Sequence, residues 1–120
     1  IAVINAFLYW AGFSYRAYVI HTGALFGTIM AFNVWFRIWP AQKKIITAIK
    51  NGDKPDAAWG ALAGMRSKHN TYLSVPLIWA MINAHNTSYA GCQWTLVAAV
   101  AVGWIFVYWL YKKGASVKGF

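Results

Sequence analysis

The stretch from residue 66 to residue 85, RSKHNTYLSVPLIWAMINAH, holds the side chains best suited to chemistry in this chain. Imidazoles in apolar helices recur as ligands of haem iron and other metals, and a guanidinium beside an imidazole recurs as a grip on an anion. If the stretch is one helix, the residue steps from His69 to His85 separate the two rings by ~24 Å, so no single metal takes both. His21 is the remaining histidine of three. Counted back along a helix from Pro40 it stands ~28 Å from that end, near the depth His85 reaches on an antiparallel neighbour. His21 and His85 are therefore the pair that could bracket a haem b or a metal ion, provided their rings face each other. Ordinary hydrogen bonding of all three rings, with no bound cofactor, is the alternative. His69 lies at the opposite end beside Arg66 and Lys68, where Arg66, His69 and Asn70 form a candidate anion- or substrate-binding set. No Ser/His/Asp set, carboxylate pair or phosphate-cradling loop can be assembled, so no catalytic residue is assigned. The side-chain carboxylates are Asp53 and Asp56, both in one polar segment.

The elements that must position these groups are apolar. The chain is 60% hydrophobic and 11% charged, about half the charged share of a soluble domain. That composition predicts an all-α, integral membrane protein. Three transmembrane helices are expected, over about 15–39, 70–85 and 93–111, in a single transmembrane domain of residues 1–120. Pro40 is expected to end the first span, and Pro76 to kink the second. Residues 1–12 are apolar but too short to cross a bilayer. Residues 41–69 are expected to form an amphipathic cytoplasmic loop on the membrane surface. Within it Ile45, Ile46 and Ile49 oppose lysines, Asn51-Gly52 stops one short helix, and Asp56 caps a second, AAWGALAGMRSK.

Nine of the eleven basic residues fall in 41–69 and in the C-terminal tail, and none in turn 86–91. By the positive-inside rule both basic segments are expected to face the cytoplasm and the N-terminal side outward, in a multi-pass membrane protein. Tyrosines and tryptophans sit at both ends of the expected spans, in keeping with interfacial belts. Basic residues that flank apolar runs, instead of covering a solvated face, argue against nucleic-acid binding. Cys92 is single, so no internal disulfide forms, and there is no CxxCH for covalent haem attachment. Ile1 in place of Met implies a processed or incomplete N-terminus.

Gly23, Gly27 and Ala31 form one small-residue stripe and Ala99 and Gly103 another, the pattern that lets helix backbones approach closely. Three helices scarcely shield Asn33, Arg37, Asn83 and His21 from lipid. Other integral membrane subunits are therefore expected as partners, with lipids around them.

Residues 21–44, HTGALFGTIMAFNVWFRIWPAQKK, and the stretch from Arg66 to His85 resemble the membrane domain of the urate oxidase N-terminal family, the membrane-bound, cytochrome c-linked urate oxidases of bacteria. The likeness lies in His21-x-Gly23-Ala24, Gly27-Thr28-Ile29-Met30, Asn33-Val34 and Pro40-x-Gln42-Lys43. It continues through Arg66-Ser67-x-His69-Asn70-x-Tyr72, then Pro76, Met81 and Asn83-x-His85. It implies a polytopic membrane protein passing electrons from a substrate to a cytochrome, of which this chain would be the last part of the membrane domain. Two functions follow as expectations: a small accessory subunit of a respiratory or photosynthetic electron-transfer complex, not catalytic by itself, or part of a urate (purine) oxidase that reduces a cytochrome c. A cytochrome b-like haem subunit, using His21 and His85, is the third.

Overall fold

Pro40 does not end its helix. In the computed structural model, which describes residues 1–86 and 94–116, helix α2 (Tyr15–Asn33) runs into a π-helical turn (Val34–Ile38) and on into α3 (Trp39–Lys50). The Trp39 amide bonds the carbonyl of Val34, five residues back. This wide turn sits just ahead of the proline, whose ring would otherwise press on the Phe36 carbonyl. The helix then stops at Asn51-Gly52, where Gly52 takes a φ of +78° and the Asp53 amide returns to the Ala48 carbonyl at 2.9 Å.

The expected separation of residues 57–68 from the second span is likewise corrected. Asp56 caps the helix as anticipated, its Oδ1 accepting from the Ala58 amide at 2.8 Å. The helix it starts, α4, continues unbroken through Ala57–Asn83 with Pro76 buried inside it. Arg66 to Asn70 are polar but compatible with helix, so they change the surroundings of the chain without breaking it. A short α1 (Ala2–Trp10) precedes α2 across a turn at Gly12, and α5 (Thr95–Gly114) follows α4. No strand occurs among the described residues.

The helices lie side by side. Tyr15 meets Asn83 and Asn33 meets Asn70, so α2 and α4 are antiparallel along the whole of α2. Gly103 lies against Val75 and Pro76, and Tyr111 bonds Thr71, so α5 runs antiparallel to α4 on another side. The buried face of α2, made by Tyr15, Tyr18, Val19, Thr22, Gly23 and Phe26, repeats every three or four residues, as a helix seam requires. Its outer face is just as apolar, with Ile20, Ile29 and Phe32 exposed.

Two helical stretches are long and apolar enough to cross a membrane by length and composition, Tyr15–Lys50 and Thr95–Gly114.

Candidate functional site

At the lysine-rich end of the bundle, α4 presents Arg66, His69 and Leu73 on one face, at steps of three and four residues. They meet Ile29 and Asn33 of α2 and Trp104 of α5 around a cavity of about 310 Å³ that Tyr72 also lines. Its size falls within the range of small-molecule sites. A larger cavity of about 460 Å³ beside Ala99 and Gly103 is walled by aliphatic and aromatic groups with Thr95 as its polar residue, so little in it could orient a polar ligand.

Arg66 is half-buried, and its Nε is shielded from solvent with no hydrogen-bond partner among the described residues. An unpaired guanidinium N–H in such a place costs free energy that an acceptor would recover. His69 is exposed and lines the same cavity. Lys68 turns away, with Nζ 4.8 Å from the centre of the Tyr111 ring. That ring stacks on Tyr72 at 6.0 Å, and its hydroxyl donates to Thr71 Oγ1 at 3.1 Å. Tyr72 is thereby held in the cavity wall from behind.

Asn70 is not a lining residue. Its Nδ2 donates to the Met30 carbonyl at 3.1 Å and its Oδ1 accepts from Asn33 Nδ2 at 2.9 Å. Asn33, only 6% exposed, takes the place at the cavity. The structure thus brings Arg66 and His69 to one cavity and sets Asn70 behind it. Asn33, Tyr72 and Trp104 are the additional lining groups that sequence reasoning did not assign to a site. For Asn33 the signal was legible, since an asparagine inside an apolar span requires a polar partner. Trp104 offered no such mark.

His21 and His85 are both exposed. The His21 Nδ1 lies 2.6 Å from the Ala17 carbonyl, and its ring stands edge-on to Phe13 at 5.3 Å. A carbonyl only accepts, so Nδ1 carries the proton and Nε2 is the nitrogen left for any ligand. His85 lies just beyond the end of α4, near the start of α2 where Tyr15 meets Asn83. Among the described residues no three His, Cys, Asp or Glu side chains come together.

The small residues pack within the chain. A Cβ on Gly23 would stand 2.5 Å from Met81 Cε, one on Gly27 3.4 Å from Leu77 Cδ1, and one on Gly103 3.2 Å from Val75 Cγ1. Ala31 is exposed, and Ala99 is half-buried beside the larger cavity.

A family model described as urate oxidase N-terminal matches residues 1–118. No curated protein and no solved structure matches the chain.

Proposed function

Because the chain belongs to the urate oxidase N-terminal family, we propose that it is a membrane-embedded part of a urate-oxidising electron-transfer assembly and that the cavity at Arg66 and His69 receives the purine anion. The observation that carries this reading is the unpaired, shielded Nε of Arg66 at the wall of that cavity. The chain's two side-chain carboxylates, Asp53 and Asp56, are both in the turn before α4. Arg66 therefore takes its counter-charge from a ligand. The aromatic groups Tyr72 and Trp104 suit a flat ring, and a guanidinium pairs with adjacent oxygen and nitrogen acceptors on its edge. In this reading the chain binds and orients the substrate. The electrons leave through a cytochrome-type acceptor carried by another part of the assembly.

The same proposal holds that α2, α4 and α5 all cross the bilayer, with the lysine-rich end in the cytoplasm of a bacterial cell and the N-terminal side outside. Its support is mutual packing: α4 lies antiparallel against both α2 and α5 over most of their lengths. If those two span, α4 spans with them. The large apolar side chains left exposed, among them Trp35, Phe36, Ile82 and Ile105, suit lipid and further membrane subunits.

Urate-dependent reduction of cytochrome c by membranes containing the chain tests the reading. Arg66→Gln should raise KM for urate about 10- to 100-fold, the worth of a charge-assisted hydrogen bond. Wild-type kinetics in that variant would refute the assignment of the cavity.

A further inference from the structure

We infer that Asn33 reads an N–H group of the anion held at Arg66, and that Asn70 fixes the direction in which it reads; this rests on the anion-binding role proposed above. The direction originates at a backbone carbonyl. Met30 O can only accept, so Asn70 must turn Nδ2 toward it, at 3.1 Å. Asn70 is then left with Oδ1 for its neighbour, and Asn33 Nδ2 donates to it at 2.9 Å. One N–H of Asn33 is thereby committed and its amide oriented. With Nδ2 turned to Asn70, the other end of the amide, Oδ1, is what we infer Asn33 presents to the cavity it lines. Amide oxygen and nitrogen are alike in shape, and here one fixed acceptor orients two amides in series.

A cavity with the donor of Arg66 and the acceptor inferred for Asn33 selects among anions. Phosphate or a simple carboxylate satisfies the guanidinium but sets oxygen against the Asn33 oxygen. A flat heterocycle with oxygens on one edge and a ring N–H on another pairs with both, which is the chemistry of a cyclic ureide or lactam anion. About 310 Å³ is room for a bicyclic ring of that kind. Asn33 is thus a specificity-determining contact, and Asn70 a positioning residue that does not touch the ligand.

Equilibrium dialysis of the full chain in detergent micelles, with labelled urate and with benzoate as a flat anion lacking ring N–H, separates these roles. Asn33→Leu and Asn70→Ala should each lower the ratio of urate to benzoate affinity about tenfold, the loss of roughly one hydrogen bond to urate, while benzoate, relieved of the opposing oxygen, binds no more weakly than to wild type. Arg66→Gln should weaken both probes together. Thermal unfolding reports whether each variant folds, and Asn70→Ala, at a half-buried position, carries the test if Asn33→Leu does not. An unchanged ratio in the folded asparagine variants, while Arg66→Gln still weakens both probes, would overturn the asparagine roles alone. Urate binding indifferent to Arg66→Gln would overturn the anion site and this inference with it.

Discussion

Buried amides do different work at the two ends of the bundle, and their partners determine what each is worth. Asn83 donates to the Tyr15 hydroxyl at 3.3 Å, with both residues buried, and ties the end of α4 to the start of α2. Tyr15→Phe leaves that donor without its acceptor, and should cost about 1–2 kcal/mol in thermal or denaturant unfolding. Asn5 is the contrasting case. Thr22 Oγ1 lies 2.8 Å from both Asn5 Oδ1 and the Tyr18 carbonyl, yet one hydroxyl proton serves one acceptor at a time. Among the described residues Asn5 Nδ2 has no hydrogen-bond partner. Asn5→Leu removes an amide that is only half used and leaves Thr22 bonded to Tyr18. Its stability should stay within about 0.5 kcal/mol of wild type or rise, because deleting a poorly paired buried group recovers its desolvation cost. A loss larger than that of Tyr15→Phe would show that the Asn5 amide is fully employed.

Close helix contact depends on what each glycine meets. Gly103 faces Val75 Cγ1 at 3.2 Å and the Pro76 ring at 3.6 Å from an added Cβ. Valine is stiff at χ1 and a proline ring cannot rotate away. Gly103→Ala should therefore destabilise by about 1–3 kcal/mol through overpacking. Gly27 has ordinary contact distance to Leu77, so Gly27→Ala should be neutral or stabilising, helped by the helix propensity of alanine. Gly23 stands between them, since the close atom is the end of the flexible, exposed Met81 side chain, which can swing aside. Unfolding midpoints of the three variants check the order, and equal losses at Gly27 and Gly103 would contradict the local packing. The π-helical turn belongs to this scale too. It carries α2 past Pro40 into α3, which packs against the first part of α4 and brings Lys44 to 5.6 Å from the centre of the Trp59 ring.

Across the whole molecule the apolar groups point outward. Buried hydrophobic residues are outnumbered by large exposed ones among the described residues, and the radius of gyration is 18.1 Å, against about 14 Å for a compact soluble domain of this length. Such a surface aggregates in water and suits a covering of lipid or neighbouring helices. The antiparallel order gathers Lys43, Lys44, Arg66, Lys68, Lys112 and Lys113 toward one end, the charge on which the proposed orientation rests. Single cysteines introduced at Ser88 and at Ala115, in a background where Cys92 is replaced by serine, report the two sides. Ser88, outside the described residues, should be labelled by an impermeant maleimide from outside. Ala115 should react only after the membrane is opened. Reversed labelling would invert the topology.

The all-helical class, the apolar spans and the clustering of positive charge were all legible in the sequence, because they follow from composition and from the order of residues along the chain. So was the stop at Asn51-Gly52, a local matter of backbone conformation, as was the nearness of Arg66 to His69 along the chain. The continuity of the helices was not legible. Whether Pro40 ends a helix depends on how the preceding turn widens, and whether residues 57–83 form one helix depends on neighbours remote in sequence. Nor could the exchange of roles between Asn33 and Asn70 be read along the chain. It arises from a hydrogen bond spanning 37 residues and another spanning 40, whose direction is set by the Met30 carbonyl on the facing helix. Spacing decides which residues share a face; only the packed helices decide what that face meets.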